Sequence, residues 1–470
     1  MNIKGRIVLA NMENIKKYKH IHMLGIGGVS MSGIAEILHS FGIKVTGSDA
    51  TSSHITDKLI KNGIKVTIGR DFENLRNSDA VVYTAAIKPD DPEILEAKNN
   101  NIPIIERCDF LGELTKAYSD TIGISGTHGK TTTTSMVSVC FLKANKDPNI
   151  QVGGILKQID GNYRIGNSDY FILEACEYVE SFLKFRPKAE IILNIDNDHL
   201  DYFKTFENVK NAFIKYVKLL PEDGFLVLNG DDENCLDLAK YTKSAYSTYG
   251  IKNEDANFVA KNIVFDDDGF PEFDVYKNKE FFDHFKLSVT GMHNVLNALG
   301  CISLCDHYEI GGTDMKEGLK EFVGAGRRLE YKGSYNNIRI YDDYAHHPTE
   351  IKATCEALGN KKFNESWAIF QPHTYSRTKN LLDDFVSALS QFDHVILADI
   401  YAARETNTYG VSSNDIAKRI NSTRSANHCE YISDFKDIVS YIKQNAKPND
   451  VVLTLGAGNV TDIGPMILER

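Results

Sequence analysis

Short apolar runs alternate with amphipathic stretches along almost the whole chain. After the first run, Met31, Ile34, Leu38 and Phe41 recur at helical spacing, which predicts a helix with one apolar face. Short strands that alternate with such helices are typical of parallel α/β sheets. The runs that we predict as strands are residues 20–24, 44–47, 64–68, 80–85, 121–124, 170–173, 190–194, 225–228, 338–341, 367–370, 394–398 and 451–455.

The alternation is interrupted twice, which predicts three α/β domains. The polar sequence YSDT begins at residue 118, and the turn GAGRR occupies residues 324–328. A chain of 470 residues is also too long for one ordinary core. We therefore predict domains at residues 1–118, 119–325 and 326–470.

Composition excludes several classes of protein. The chain is 42% hydrophobic and 25% charged, as in globular proteins, and its net charge of -11 argues against a nucleic-acid-binding protein, which needs a basic face. The first twenty residues contain only a four-residue apolar run, and no segment approaches the length of a membrane span. We expect a cytoplasmic protein without membrane insertion.

The eight cysteines fit this expectation, because none forms a C-x-x-C pair. Cys140, Cys301, Cys305 and Cys355 lie in apolar helical stretches, where small buried thiols are common. Cys301 and Cys305 are one helical turn apart. We expect no metal site there, because no further cysteine is near them in the sequence.

The segment TIGISGTHGKTTTTS, residues 121–135, places a glycine-flanked lysine between an apolar run and a helix-compatible run. Gly126 and Gly129 leave no side chain between backbone amides and an anion, and the following helix offers unpaired N–H groups. Lys130 adds a mobile positive charge. The strict P-loop pattern needs glycine at position 124, where the chain has isoleucine. A purely structural turn would leave these glycines, the lysine and four threonines unexplained, so we predict a nucleotide-phosphate site.

Polar residues that follow the next strands extend this site, because ligands bind beyond the carboxyl ends of strands in open parallel sheets. Glu174 follows one strand, and His199 closes the stretch NIDNDH after another. Thr131 and Glu174 can supply oxygen ligands for Mg²⁺, and His199 a nitrogen ligand. The alternatives are a solvated strand end for Glu174 and a helix-start hydrogen bond for His199.

The turn from Gly25 to Ser30 resembles a dinucleotide fingerprint, with Ser30 at the position of its last glycine and Asp49 near the expected acidic position. A pyrophosphate could rest on the helix that begins near Ser30. Two phosphate turns in separate domains favour two different phosphorylated ligands over one cofactor.

Polar residues also follow two strands of the third domain. His347 lies in DDYAHHP, and His373 and Arg377 lie in QPHTYSR. Histidine and arginine together can orient a carboxylate and help to move a proton from an amine. Helix capping is the alternative for the first motif, since Pro348 suits a first helical turn.

Taken together and in order, these motifs resemble the Mur ligase family over nearly the whole chain. The segments that carry the resemblance are HMLGIGGVSMSGIAEIL, GTHGKTTTTSMV, EACEYVESFL, NIDNDHLDYF, GMHNVLNAL, GAGRRLE, YDDYAHHPTEI, FQPHTYSRT and LTLGAGNV. The resemblance implies a Rossmann-like N-terminal domain that binds a UDP-sugar, a central P-loop-type ATPase domain with a mostly parallel sheet, and a Rossmann-like C-terminal domain that binds the amino acid.

The implied activity is the ATP- and Mg²⁺-dependent joining of L-alanine to the lactyl carboxylate of UDP-N-acetylmuramate through an acyl phosphate, in peptidoglycan synthesis. We expect a monomer or weak homodimer that binds no nucleic acid.

The resemblance also implies roles for individual residues. The ATP phosphates would lie against Gly126, Thr127, His128, Gly129, Lys130, Thr131 and Thr132. The adenine and ribose would lie against His293, Asn294 and Asn297. The UDP-sugar side would comprise Gly25, Gly27, Ser48, Asp49 and Thr84. Mg²⁺ would be held by Thr131, Glu174 and His199, and Arg327 would reach the phosphates. His347, His373 and Arg377 would surround L-alanine, with His347 as the base that deprotonates its amine.

The sequence departs from the family pattern at two positions. Cys176 replaces the aspartate of the common sequence EADES, and Thr374 stands where arginine is common, which places carboxylate binding more heavily on Arg377. Three other classes stay open: a Mur-type ligase that joins a preformed peptide to the same sugar nucleotide, an NAD-dependent dehydrogenase, which would leave the phosphate loop unused, and a regulator that senses UDP-sugars without turnover.

Overall fold

The computed structural model describes residues 15–84, 86–359, 361–403, 405–423 and 428–469, apart from the side chain of Asp201. These residues divide into two compact units. The first comprises Met1–Asp196, Glu207–Phe258 and Leu299–Gly318, and the second comprises Asn197–Phe206, Val259–Ala298 and Leu319–Arg470.

The first unit begins with a five-stranded parallel sheet. Its strands are β1 (His20–Leu24), β2 (Lys44–Asp49), β3 (Lys65–Ile68), β4 (Ala80–Tyr83) and β5 (Ile104–Glu106), in the order β3-β2-β1-β4-β5. Helices follow the strands, at Val29–Ser40, His54–Lys61, Phe72–Arg76, Pro92–Asn99 and Arg107–Thr115. The predicted strand 80–85 ends at Tyr83, and Ala85 lies outside the described residues.

A second sheet of the first unit carries the phosphate loop. Its strands are β6 (Asp120–Ser125), β7 (Asn149–Leu156), β8 (Gly161–Arg164), β9 (Tyr170–Glu174), β10 (Ala189–Ile192), β11 (Phe225–Asn229) and β12 (Ala245–Gly250). They lie in the order β12-β11-β10-β6-β9-β7-β8, and only the β7–β8 pair is antiparallel. The helices are Lys130–Lys143, Phe206–Val217, Glu233–Asp237, Gly312–Glu321 and 3₁₀ turns at Lys157–Ile159, Tyr178–Lys184 and Leu238–Tyr241.

The second unit contains a hairpin region and a six-stranded sheet. The hairpin region comprises β13 (Phe258–Phe265), β14 (Pro271–Lys277) and β15 (Glu280–Lys286). The sheet comprises β16 (Glu330–Tyr335), β17 (Ile338–Asp343), β18 (Ser366–Phe370), β19 (His394–Leu397), β20 (Cys429–Tyr431) and β21 (Val451–Leu455), in the order β16-β17-β21-β18-β19-β20, with only β16–β17 antiparallel.

Helices flank this sheet over two buried apolar clusters, one around Phe370 and Phe385 and the other around Trp367 and Ile438. The helices of the second unit as a whole are Pro348–Gly359, Tyr375–Asn380, Leu382–Leu389, Ser413–Thr423, Phe435–Asn445, Ile463–Leu468, a 3₁₀ turn at Asn459–Asp462, Leu200–Phe203 and Met292–His307. The residues of Met292–His307 from Leu299 onward belong to the first unit. No helix among the described residues is long and apolar enough to cross a bilayer.

The predicted mostly parallel α/β architecture is confirmed, and each predicted strand has a counterpart whose ends differ by two residues or fewer. Most of the strands that the pattern missed are edge or antiparallel strands, but β12, which pairs in parallel with β11, was missed as well. β14 alternates apolar and polar residues because one face is solvated, and β15 has only Phe285 buried. β7 carries two adjacent glycines that weaken its strand signal.

Candidate active site

The predicted phosphate loop lies between β6 and helix Lys130–Lys143. Gly126 and Gly129 have φ angles of 139° and 85°, conformations that favour glycine. A Cβ atom on Gly126 would lie 2.9 Å from the Cβ of Leu193, so the loop packs directly against the end of β10. The loop therefore needs glycine both for its backbone conformation and for its close contact with the neighbouring strand.

Two residues that follow β10 hold the loop in shape. The side chain of Asn194 accepts from the His128 N–H at 2.8 Å and donates to the His128 carbonyl at 3.0 Å. The Asp196 N–H donates to Thr127 Oγ1 at 2.9 Å, and its carboxylate accepts from His128 Nε2 at 2.9 Å. The sequence NIDNDH thus contributes loop support that sequence reasoning missed.

Lys130 is folded back onto its own loop. Its Nζ donates to the carbonyls of Gly126 at 2.6 Å and Thr127 at 3.0 Å, and to Glu177 Oε2 at 2.8 Å. The side chain of Glu177 is 2% exposed. Burial opposes the charge on Lys130, but Glu177 outweighs this effect and raises the pKa of Lys130. The lysine is therefore a partly buried cation with a buried, fixed counter-ion.

Thr131 and Glu174 meet beside the loop, as the sequence predicts. Thr131 Oγ1 donates to Glu174 Oε2 at 2.8 Å, and the Gly153 N–H donates to the same oxygen at 2.9 Å. Oxygen atoms are the ligands that Mg²⁺ prefers, so this pair fits a magnesium site. Thr132 is buried in the first turn of the helix.

Cys176 stands one residue before Glu177, at the position of the family's aspartate. Burial raises the pKa of its thiol to about 11, with Glu177 adding to the effect. The thiol is therefore neutral near pH 7, and the countercharge on Lys130 comes from Glu177 and Glu174.

The residues predicted for the UDP-sugar come together at the carboxyl edge of the first sheet. A Cβ atom on Gly25 would lie 2.9 Å from Thr84 Cγ2, and Gly25 has a φ of 75°. The Gly27 N–H donates to Asp49 Oδ2 at 2.8 Å. Ser48 is buried, and its hydroxyl donates to Glu93 Oε2 at 3.1 Å. The turn is thus supported by the carboxylate of Asp49 and by the Ser48 carbonyl, which accepts from the Gly25 N–H at 2.9 Å.

Sequence reasoning missed the cation Arg107, whose side chain reaches the start of helix Val29–Ser40. Arg107 Nη1 donates to Ser30 Oγ at 3.0 Å, and Gln151 Nε2 donates to the same oxygen at 2.6 Å. Arg107 comes directly after β5, so the rule that located the other site residues also applied here.

In the second unit, His373 and Arg377 are brought together with Asp198. Arg377 Nη1 donates to His373 Nδ1 at 3.2 Å, and Nη2 donates to Asp198 Oδ1 at 2.8 Å. Burial opposes ionisation of Asp198, but Arg377 outweighs this effect and lowers the pKa of the carboxyl well below its ordinary value. His199 is adjacent in sequence, has a φ of 54°, and donates its backbone N–H to Asp198 Oδ1 at 2.7 Å. Asp198 is a further residue that sequence reasoning missed.

The two histidines before helix Pro348–Gly359 differ in their hydrogen bonds. His346 Nδ1 donates to the Tyr344 carbonyl at 3.0 Å, so neutral His346 keeps the lone pair on Nε2. His347 Nδ1 accepts from the Thr349 N–H at 3.3 Å, so neutral His347 carries its proton on Nε2. Burial lowers the pKa of His346 to about 4, and the ring lies 5.7 Å from that of His373.

Arg327 also has a buried carboxylate partner. Its Nε donates to Asp342 Oδ2 at 3.0 Å, and its Nη2 donates to the Gly456 carbonyl at 2.5 Å. Asp342 is fully buried and also accepts from Thr454 and Thr461. The guanidinium is therefore oriented by β17 and the loop after β21.

The three residues predicted for adenine and ribose open helix Met292–His307. Asn294 and Asn297 are buried, and Asn297 Nδ2 donates to Asn294 Oδ1 at 3.0 Å. Asn294 Nδ2 donates to the Thr290 carbonyl at 2.8 Å, while His293 is exposed. The asparagines therefore stabilise the helix start within the second unit.

Comparison with known proteins defines the class of protein that carries these features. Residues 20–119 match the Mur ligase family catalytic domain, residues 124–305 the Mur ligase middle domain, and residues 327–458 the Mur ligase glutamate ligase domain. The chain belongs to the Mur ligase family and has its three-domain α/β architecture.

Individual relatives show which members of the family this chain is similar to. The UDP-N-acetylmuramate--L-alanine ligase of Acetivibrio thermocellus is 48% identical over 455 residues, which cover 96% of each chain. The protein of the same name from Clostridium botulinum strain Okra is 49% identical over 96% of this chain and 98% of that protein. The crystal structure of the UDP-N-acetylmuramate-alanine ligase of Thermotoga maritima superposes with a TM-score of 0.82 at 30% identity, over 96% of this chain and 99% of that one.

Proposed function

We propose that this protein is a UDP-N-acetylmuramate--L-alanine ligase that uses ATP to join L-alanine to the lactyl carboxylate, giving UDP-N-acetylmuramoyl-L-alanine, ADP and phosphate. The observation that carries this proposal is the 48–49% identity, over nearly the full chain, to relatives that bear this name. A murein peptide ligase of Psychrobacter arcticus, which represents the rival class, is 26% identical with a TM-score of 0.71.

The phosphate loop supports ATP as the energy source. A related ligase of Thermotoga maritima, of similar fold, was solved in complex with ADP. Lys130 would exchange its loop carbonyls for nucleotide phosphates, while Gly126 to Thr132 would surround them with backbone N–H groups. His293, Asn294 and Asn297 remain our proposal for the adenine and ribose.

Thr131 and Glu174 would hold Mg²⁺, and His199 remains the proposed third ligand. The ion would neutralise charge on the phosphates. Arg327 would neutralise the same charge by electrostatic attraction, oriented by Asp342.

The chemistry follows from the poor reactivity of a carboxylate, which would have to expel oxide to accept an amine. Transfer of the γ-phosphoryl group to the lactyl carboxylate gives an acyl phosphate, whose leaving group is phosphate. The neutral amine of L-alanine then attacks the carbonyl carbon, a proton is lost, and the tetrahedral intermediate collapses to amide and phosphate. Arg377 would bind the carboxylate of L-alanine, with His373 beside it.

The hydrogen bonds revise the choice of base. Sequence reasoning proposes His347, but its neutral form carries the proton on Nε2, whereas His346 has its lone pair there. We therefore propose His346 as the group that accepts the amine proton. His346→Gln should lower kcat by roughly 100-fold and remove a limb of the pH–rate profile, while His347→Gln keeps that profile. If His347→Gln removed that limb of the profile and His346→Gln kept it, His347 would be the base.

Arg107 and Ser30 add to the residues proposed for the UDP-sugar, which are Gly25, Gly27, Ser48, Asp49 and Thr84. The guanidinium would face the pyrophosphate at the start of helix Val29–Ser40. The domain limits 1–118, 119–325 and 326–470 also stay a proposal, supported by the matched ranges 20–119, 124–305 and 327–458. Cytoplasmic location and a monomer or weak homodimer stay predictions.

One assay separates this activity from its rivals. Purified protein is incubated with ATP, Mg²⁺ and UDP-N-acetylmuramate, and phosphate release is measured with L-alanine or with the tripeptide L-alanyl-γ-D-glutamyl-meso-diaminopimelate. We expect turnover that requires both the sugar nucleotide and L-alanine. Turnover with the tripeptide but not with L-alanine would assign the protein to the peptide ligases, and no turnover with either would favour a sensor.

A further inference from the structure

Three cysteines that lie far apart in the sequence meet in the interior of the first unit. Cys301 and Cys305 are one turn apart on helix Met292–His307, and Cys140 lies on helix Lys130–Lys143. The Sγ atoms of Cys140 and Cys301 are 3.8 Å apart, and those of Cys301 and Cys305 are 3.9 Å apart. All three residues are fully buried. The prediction of no metal site at Cys301 and Cys305 considered only neighbours in the sequence, whereas folding places Cys140 beside them.

The triangle of sulfur atoms has the size of a three-coordinate metal site. The three Sγ atoms all lie within 4.8 Å of one another. A metal ion at about 2.3 Å from each of three coplanar sulfurs requires sulfur–sulfur distances of about 4.0 Å. The two measured edges match that value to within 0.2 Å. An ion would fit between the thiols with little movement of either helix.

The surroundings limit which ion fits. Among the described residues, this group offers three sulfurs, whereas structural Zn²⁺ takes four ligands. Soft sulfur donors select Cu(I), Zn²⁺ and iron–sulfur clusters, and iron–sulfur clusters, like structural Zn²⁺, call for four ligands. Asp306 and Asp314 are the carboxylates that act on these sulfurs electrostatically, which favours a cation. A buried site without balancing cations also disfavours several thiolates at once, because uncompensated charge is costly there.

We propose that Cys140, Cys301 and Cys305 form a binding site for monovalent copper. The Cu⁺ ion displaces one thiol proton, which leaves to solvent, and the resulting thiolate balances its charge. The other two sulfurs bind through their lone pairs as neutral donors, as thioether sulfurs do, so the complex is neutral and no oxidant is needed. The ion would link helix Lys130–Lys143, which begins at the phosphate-loop lysine, to helix Met292–His307.

The helix that contains Gly318 covers one side of the three-cysteine cluster. A Cβ atom at Gly318 would lie 2.9 Å from both the Cα and the Sγ of Cys140, so the helix Gly312–Glu321 packs directly over this sulfur. Entry of an ion therefore requires this helix to move away, and we expect binding to be slow rather than limited by diffusion.

The test is an anaerobic titration of reduced, full-length protein with Cu(I), in competition with a coloured Cu(I) chelator and without nucleotide or sugar. We expect one ion per chain and a higher melting temperature. Cys301→Ser and Cys305→Ser should each weaken binding by more than about 100-fold, because each removes a ligand. Cys235→Ser, at a buried cysteine outside the cluster, is the matched control and should bind as the unchanged protein does.

X-ray absorption spectroscopy of the copper-loaded, unchanged protein identifies the ligand atoms of the ion, and it tests the proposal even if the serine variants fail to fold. We expect three sulfur atoms at about 2.3 Å from copper. Coordination by nitrogen or oxygen, fewer than three sulfurs, unaltered binding by folded Cys301→Ser, or equal loss in Cys235→Ser would overturn the proposal.

Discussion

The phosphate loop, residues 126–132, and the cluster of His373, Arg377 and Asp198 both hold a cation in place, but with different sets of partners. Each presents a cation that the sequence assigns to a substrate, and each holds that cation with a buried carboxylate: Glu177 for Lys130, and Asp198 for Arg377. Lys130 also has two acceptors on its own loop, at Gly126 and Thr127. Arg377 depends on a partner 179 residues away and on one histidine ring.

The difference shows which parts of the chain determine the position of each cation. The loop motif alone nearly fixes the position of Lys130, whereas Arg377 is positioned only after distant parts of the second unit have folded. Arg327 repeats the second arrangement with Asp342. We infer that local motifs identify the cations of this protein, and that long-range packing supplies their counter-ions.

The largest expected effect comes from Lys130→Met. Loss of the charge that faces the transferring phosphoryl group should lower kcat by about 1,000-fold or more. Steady-state phosphate release checks this value. Lys143→Met, in the last turn of the same helix, is the control and should keep nearly full activity. A reduction of less than tenfold in Lys130→Met would contradict the role given to the loop.

Removal of each counter-ion tests the comparison directly. Asp198→Asn should lower the free energy of unfolding by about 3 kcal/mol, because it leaves the largely buried Arg377 guanidinium without its charged partner. Glu177→Gln should cost less, about 2 kcal/mol, because Lys130 keeps two carbonyl acceptors. Chemical denaturation measures both. Glu222→Gln, in an exposed pair with Lys243, should change stability by less than about 0.5 kcal/mol. A larger loss of stability for Glu177→Gln than for Asp198→Asn would contradict our inference.

A smaller effect is expected for Arg377→Lys. Lysine cannot contact His373 and Asp198 at once as the guanidinium does, so the KM for L-alanine should rise by about tenfold with little change in the KM for ATP. Arg419→Lys, at an exposed position, serves as the control. Equal changes in both KM values would argue against a specific contact with the amino acid.

A further expected effect concerns the pH dependence of stability. Burial lowers the pKa of His346 from 6.5 to about 4, so between these values the unfolded chain binds a proton that the folded protein does not. Stability should therefore fall as pH decreases from about 6.5 to 4, by at most about 1.4 kcal/mol per pH unit for this group. Denaturation of the unchanged protein and of His346→Asn measures the difference. Identical slopes would show that His346 does not titrate in this way.

The sequence predicted the parallel sheets and the site motifs because both depend on local patterns. Buried parallel strands are continuous apolar runs, and the glycines, lysine and threonines of 126–134 are contiguous. The solvated strands β14 and β15 lack such runs. Glu93, Arg107, Asp198 and Cys140 have partners that are distant in sequence, so local patterns could not show what these residues contact. The tautomers of His346 and His347 likewise depend on backbone conformation.

The most direct test of the central claim is the path of oxygen during turnover. UDP-N-acetylmuramate labelled with ¹⁸O in both carboxylate oxygens is incubated with ATP, Mg²⁺, L-alanine and the enzyme, and the released phosphate is analysed by mass spectrometry. Activation as an acyl phosphate transfers one carboxylate oxygen, so we predict phosphate that carries one ¹⁸O atom. Unlabelled phosphate would show that water, not the lactyl carboxylate, attacks ATP, and would contradict the account.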